Sequence, residues 1–365
     1  MAVLTEEQQM LREAAKDWVT RRSPIRALRN LRDRGAELGY EPAVWTEMAA
    51  MGWAGTIVPE EYGGSNLGCM DLALVLEELG RTLTASPLIA SGLAGASALM
   101  LGGSAGQKQA WLPRVADGTA IVTLAVDEHR HHKPQRVETE VVGGRLSGEK
   151  VFVIDGMAAH LFVVSARSAR TLELYLVRAD AGGVSRQRLS LADSRGAANL
   201  TFKDVVVSDA DRLSGGGALL DKVLDRARAG ISAEMLGSAC QAFEMTLDYL
   251  KTRVQFDQPI GSFQALQHRA AKMFTELELS RSAVEAACMA IDADSPDTAA
   301  LVSLAKVKVG DTFHLVSNEM VQMHGGIAMT DAHDAGFYLK RARAAEAAFG
   351  NQAFHRDRYA RCQGY

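Results

Sequence analysis

The chain has 365 residues, 47% of them apolar and 23% charged, with a formal net charge of -4 and four cysteines. This length supports two or three domains with sizeable cores. The mildly acidic balance argues against nucleic acid or an anionic membrane as the main partner. Cys69, Cys240, Cys288 and Cys362 show neither CxxC pairing nor metal-ligand spacing, which fits a reduced, cytoplasmic setting.

The N-terminal stretch from Met1 to Trp18 mixes acids and bases in an amphipathic pattern, unlike a signal peptide. Thr5 and Gln8 form a capping-box pair ahead of Met10, Leu11 and Ala14. A further helix is expected after Pro42, through Trp45 and Met48, ending at Gly52 and the Pro59–Gly64 stretch. Asp71 to Leu79 begins another. Leu88 to Gly106 carries no charge and is long enough to raise the question of a membrane span. Its richness in Ala, Gly and Ser points instead to a buried helix lined with small side chains.

The pattern changes near Ala120. Ile121–Val126 reads as a strand, and Val137–Val142 and Arg145–Val153 as a hairpin about Gly143-Gly144. Leu161–Val164, Leu172–Val177 and Ala198–Val207 add strands, so a small β barrel or sandwich is expected. After Gly215-Gly216-Gly217 the helical period returns, at Ala218–Thr252, Phe263–Asp292, Thr298–Met323 and from Asp334 onward. These segments suggest an antiparallel helix bundle. The expected fold is α+β and multidomain, with a helical domain over residues 1–118, a β domain over 119–212 and a four-helix bundle over 213–365.

Two segments of the last third carry more than a fold. Arg253-Val-Gln255-Phe256-Asp257-Gln-Pro259-Ile260-Gly-Ser-Phe263-Gln264 and Gln322-Met-His-Gly325-Gly326 resemble signature segments of the acyl-CoA dehydrogenases. The Tyr62-Gly63-Gly64 loop and Gly148-Glu149-Lys150 resemble the family's first and β domains. The resemblance spans essentially the whole chain and implies FAD as cofactor, an acyl-CoA thioester as substrate, an oligomer, and an electron-transfer flavoprotein as electron acceptor. It assigns Arg253 to the FAD pyrophosphate, a suitable partner for a guanidinium fork. Phe256 and Gln264 are assigned to the cofactor too, with Gln322, Gly325 and Gly326 at a turn whose backbone approaches it. In the family these segments reach the flavin of a neighbouring subunit.

The family reaction needs a base for the α-proton and a flavin for the hydride. The usual glutamate stands 27 residues after the glutamine of the Gln-x-x-Gly-Gly turn, and here that position is Phe349. An alternative base precedes a characteristic arginine, which corresponds to Arg228 at the substrate side, and here Ala227 precedes it. No catalytic residue is therefore assigned. Glu234 lies two helical turns from Ala227, about 11 Å away, and is a weak substitute. Asp225, Glu346 and His333 rank lower.

In the β domain Phe152 keeps an aromatic ring at the flavin position, whereas Ile154 replaces a hydrogen-bonding threonine. The family's Gly-Ser-Asp loop is replaced by Asp127-Glu128-His129-Arg130-His131-His132-Lys133. These histidines are too crowded for a well-formed metal site, and none is expected. Asp257, where glycine is usual, brings a negative charge close to Arg253. The pattern resembles the weakened subunit of heteromeric acyl-CoA dehydrogenases, a class known for bulky substrates such as steroid side-chain CoA esters, and implies a second family subunit as partner. Two alternatives stay open: a self-sufficient acyl-CoA flavoenzyme with an unusual base, and a non-catalytic scaffold that kept the fold.

Overall fold

A computed structural model describes residues 4–365, so Met1 to Val3 of the N-terminal amphipathic stretch lie outside the described residues. The chain forms two compact units that each draw on separate stretches of sequence. One comprises Met1–Leu28, Ala73–Thr84 and Arg228–Tyr365, and the other Arg29–Leu72 and Ala85–Ala227.

Among the described residues, eleven α-helices run α1 (Glu6–Arg22), α2 (Ile25–Asp33), α3 (Pro42–Ala50), α4 (Cys69–Arg81), α5 (Ala96–Gly102), α6 (Ala105–Ala116), α7 (Gly216–Thr252), α8 (Gln264–Asp292), α9 (Thr298–His324), α10 (Ala335–Ala347) and α11 (Gln352–Cys362). The Thr5 hydroxyl accepts the Gln8 amide hydrogen and Gln8 reciprocates, so the capping box starts α1. Helix α2 was not anticipated, because its arginine-rich sequence masks the apolar positions. Leu88–Gly95 is a π-helix, fully buried, that continues into α5. No helix among the described residues is long and apolar enough to cross a membrane. The segment beginning at Asp334 is two helices rather than one. Phe349 and Gly350 adopt φ of +56° and +107°, which a right-handed helix cannot contain.

The β strands are β1 (Val122–Ala125), β2 (Glu140–Val142), β3 (Arg145–Ile154), β4 (Leu161–Ser168), β5 (Thr171–Arg178), β6 (Val184–Arg188), β7 (Ala197–Val206) and β8 (Arg212–Leu213), all in one sheet. Its order is β6-β7-β3-β2-β4-β5-β8, with β1 parallel to β4. Gly143-Gly144 closes the β2–β3 hairpin with both residues at positive φ. Leu146, Phe162, Val164, Leu200 and Phe202 pack its buried face, with the Phe162 and Phe202 rings edge to face at 6.4 Å. β6 escaped sequence reading because its Val-Ser-Arg-Gln-Arg lacks an apolar alternation and lies mostly exposed. A separate hairpin, β9 (Val254–Gln255) with β10 (Gln258–Pro259), follows α7.

In the unit that holds the bundle, α4 crosses α7 backbone to backbone. A methyl group on Gly237 would lie 1.7 Å from the Glu77 carbonyl oxygen, and one on Gly80 2.1 Å from that of Glu234. Around this crossing three buried glutamates each meet an arginine: Glu77 with Arg281 at 2.6 Å, Glu78 with Arg12 at 3.2 Å, and Glu234 with Arg341 at 2.8 Å. Pairing matters here because an uncompensated buried carboxylate is strongly destabilising. Gly237→Ala is expected to destabilise the chain by about 3 kcal/mol in urea denaturation, the upper part of the overpacking range. Gly326→Ala, where an added methyl meets nothing within 4 Å, is expected to leave the midpoint unchanged.

Candidate functional site

The residues singled out in the last third fall in the α7–α8 connection, at the start of α8 and at the ends of α9 and α10, all within the bundle unit. Arg253 follows directly on α7, and its amide donates to the Tyr249 carbonyl at 2.8 Å. Its side chain is exposed, and among the described residues no ion pair engages it, Asp257 included. Phe256 and Asp257 form the tip of the β9–β10 hairpin at φ of +53° and +60°. A type I′ turn of this kind favours Asn and Gly. Holding an aromatic there costs of order 1–2 kcal/mol, and the ring is nonetheless 84% exposed. Gln264 is exposed at the start of α8, and Gln322 is exposed in the last turn of α9.

Gly325 ends α9 at φ +66°, ψ -142°, a conformation essentially restricted to glycine. Gly326 carries no such constraint, and an added Cβ would meet no atom within 4 Å. Nothing inside the chain therefore requires its lack of a side chain. Both glycines are exposed. Behind them His324 is buried, its Nδ1 donating to the Met320 carbonyl at 2.7 Å.

At the position expected for the base, the backbone is tightly defined although the side chain is a phenyl ring. The Phe349 carbonyl accepts from Arg228 Nε at 3.1 Å and from His355 Nε2 at 3.2 Å. Lys306 Nζ donates to the carbonyls of Ala345, Glu346 and Gly350 at 3.0, 3.1 and 3.2 Å. These bonds satisfy carbonyls orphaned at the C-terminal end of α10. Arg228, Lys306 and His355 are all buried. Burial, with the nearby Arg228 and Lys306 charges, pushes the His355 imidazole down to about 2. Burial and the Arg228 charge push the Lys306 ammonium down to about 7.

Arg228 was expected at the substrate. It is only 1% exposed, its Nε supports the chain's own turn, and its guanidinium carbon lies 5.3 Å from the centroid of the Phe354 ring. Ala227, before it, is fully buried. The Glu234 Oε1 accepts from both Nε and Nη2 of Arg341, at 2.9 and 2.8 Å, so this carboxylate is tied within the bundle. Glu346 faces His314 and Arg343, and Asp225 is buried.

The β domain presents a different surface. Phe152 lies at a bulge of β3 against β7, with φ +53° and half of its surface exposed. Its amide donates to Asn199 Oδ1 at 3.2 Å. A bulge of this kind re-aims a side chain. Ile154 offers no side-chain donor, and its carbonyl accepts from Thr123 Oγ1 at 2.7 Å. The histidine-rich loop is folded back on itself. His132 Nδ1 meets both carboxylate oxygens of Asp127 at 2.9 Å, with the His132 side chain only 4% exposed. Glu128 accepts from Lys150 Nζ at 2.6 Å and from the Thr139 amide at 3.0 Å. Ligand atoms of Glu128, His129 and Glu138 lie within 4.8 Å of one another, but the Lys150 ammonium already neutralises Glu128.

Sequence reading missed Lys306, His355, Asn199 and Tyr249. A lysine or histidine on a helical apolar face carries no local signal of the distant carbonyl it serves. The pH dependence of stability should expose His355. Its folded value is depressed below the ordinary 6.5, so its contribution is intact above 6.5 and is lost as pH falls below it. Wild-type stability should decline about 1.4 kcal/mol more steeply per pH unit between 6 and 4 than that of His355→Gln, read from urea denaturation at each pH.

Comparison with known proteins bears directly on these segments. Residues 5–119 match the acyl-CoA dehydrogenase N-terminal domain and residues 214–363 the acyl-CoA dehydrogenase C-terminal domain. The chain is 30% identical over 338 residues to acyl-CoA dehydrogenase IpdE2 of Mycobacterium tuberculosis, covering 92% of this chain and 91% of that one. Among solved structures it is similar to a chain of the Tcur3481–Tcur3483 steroid acyl-CoA dehydrogenase, with a TM-score of 0.90, 30% identity and 98% of each chain covered. It is also similar to a chain of the ChsE4–ChsE5 complex from Mycobacterium tuberculosis, with a TM-score of 0.90, 27% identity and coverage of 100% and 99%.

Proposed function

Since the chain belongs to the acyl-CoA dehydrogenase family, we propose that it works as one subunit of a heteromeric acyl-CoA dehydrogenase, completing an FAD site on a partner chain that supplies the catalytic base. The observation that carries this reading is the turn at Phe349. Its backbone is held by three buried donors, yet its side chain is a phenyl ring, and the nearby Glu234 is tied to Arg341. A phenyl ring takes no proton, so the α-proton of an acyl-CoA needs a base from elsewhere.

The residues of the bundle face fit FAD. Arg253 is an exposed cation suited to a pyrophosphate, Phe256 is an exposed ring held in a strained turn, and Gly326 leaves open room. Gln264 and Gln322 add exposed amides. The β-domain face fits the cofactor less well. Phe152 offers an exposed ring, but Ile154 has no donor, and His132 and Asp127 close the loop on itself. When bound, FAD accepts the hydride from the acyl β-carbon. Arg228, with His355 and Lys306, positions the 348–350 turn and so presents Phe349 as an apolar wall. Electrons leave through an electron-transfer flavoprotein. A steroid side-chain CoA ester is the substrate class in keeping with the steroid enzyme named above.

A partner needs a surface. The outward side of α8 carries Phe274, Leu279 and Met289, each at least half exposed, with Gln267, Ala271, Ser282 and Ala286 along the same face. Large apolar side chains exposed on a 29-residue helix, with Glu278 and Glu285 among them, suit a subunit interface. Leu279→Asp should abolish co-purification with the partner chain while the isolated chain stays folded.

Activity tests the proposal. The isolated chain, and Phe349→Glu alone, should oxidise no acyl-CoA at a useful rate. Co-expression with a family chain that carries a glutamate at the matching position should give turnover. Arg253→Ala should weaken FAD retention by that pair roughly 10- to 100-fold, the scale of one charge-assisted hydrogen bond. Strong dehydrogenase activity from the homogeneous chain would overturn the proposal.

A further inference from the structure

Three rings from three segments meet at one end of the bundle. Tyr249, in the last turn of α7, stacks on His324 with ring centroids 4.4 Å apart and planes 26° from parallel. His324 in turn meets His333 at 4.7 Å and 54°. Each imidazole is fixed by its own backbone. His324 Nδ1 donates to the Met320 carbonyl, and His333 Nδ1 accepts the Ala335 amide hydrogen at 3.1 Å. His333 stands at the entry to α10 and His324 at the end of α9.

The places these rings occupy along the chain matter. Tyr249 is four residues before Arg253 and accepts its amide hydrogen through its backbone carbonyl. His324 immediately precedes Gly325, whose conformation only glycine adopts. The stack is thus a direct side-chain bridge between the end of α7, which carries Arg253, and the end of α9, which carries the glycine turn. His333 extends it to α10. A glycine pair with no side chains and open space above it has few contacts of its own to fix its orientation. Stacked rings supply such contacts, with a pair worth about 0.5–1.5 kcal/mol beyond the area it buries.

We propose that Tyr249, His324 and His333 are positioning residues, a three-ring platform that sets the Gly325-Gly326 turn relative to Arg253 for binding a dinucleotide across the subunit interface. This inference rests on the FAD-completing role argued above. The rings hold the turn from behind and do not touch the ligand, so a flat side chain at each outer position is what the platform requires. Tyrosine's hydroxyl and the ring nitrogens of His333 are dispensable for it.

Ring-keeping and ring-removing substitutions distinguish a platform from general core packing. Tyr249→Phe and His333→Phe keep a ring, whereas Tyr249→Ala and His333→Ala remove it. Amide hydrogen exchange of the full chain, read by mass spectrometry over residues 325–330, should quicken at least tenfold in the two alanine variants and stay within twofold of wild type in the two phenylalanine variants. Exchange across the middle of α9 should not change in any of them. Equal exchange at 325–330 in all four variants would overturn the platform. So would quickening in the alanine variants that spreads equally through α9, since that reports general destabilisation. A second arm titrates FAD into the complex with the partner chain. Alanine variants should bind it at least tenfold more weakly, with the phenylalanine variants close to wild type. A loosened turn with FAD affinity unchanged would overturn the role of this turn at the cofactor while leaving its mechanical support by the rings standing.

Discussion

Ending a helix inside a protein leaves backbone carbonyls that water cannot reach, and each must find a donor. At the end of α10 this constraint is met by Arg228 from α7, Lys306 from α9 and His355 from α11, which converge on the carbonyls of residues 345, 346, 349 and 350. The left-handed turn at Phe349 and Gly350 exists because these donors hold it, and the four helices keep their register around it. The same convergence makes position 349 one of the best-fixed points of the bundle. It is therefore notable chemically that the side chain placed there is inert toward protons.

The two functional faces of the chain differ in a consistent way. On the bundle, an exposed guanidinium, a largely exposed ring in a strained hairpin tip that meets only the edge of Phe263 among the described rings, and an unencumbered glycine turn lie open. On the β domain, two acidic side chains of the 127–139 loop are engaged within the domain. Asp127 takes His132, and Glu128 takes Lys150 and the Thr139 amide. One face keeps its groups open to solvent, whereas part of the loop on the other is engaged within the chain. This distribution of engaged and unengaged groups is in keeping with the proposed role beside a partner's cofactor.

Much of the fold was legible in the sequence because it rests on local signals. The capping box at Thr5, the Gly143-Gly144 hairpin and the long helical periods of α7, α8 and α9 announce themselves within a few residues. The arginine-rich α2 and the largely exposed β6 did not. The break between α10 and α11 was also hidden, since Phe349 has no intrinsic preference for the left-handed region and is held there by residues far away in sequence. The candidate site divides along the same line. Arg253, Phe256 and the glycine pair stand in a recognisable run. Lys306, His355 and the Tyr249–His324–His333 stack act through tertiary contacts that no spacing encodes. Glu234 shows the converse: helical spacing put it near the right face, and only the structure reveals the arginine that engages it.

The proposed role is one in which this chain completes a partner's cofactor site and does not own one. The visible absorption spectrum of the purified chain alone, with flavin quantified per chain after denaturation, tests it most directly. The expected result is a folded, essentially colourless protein whose flavin absorbance appears only when the partner chain is present. Near-stoichiometric flavin on the chain by itself would contradict it, and would mean that the closed β-domain loop opens to hold FAD without help.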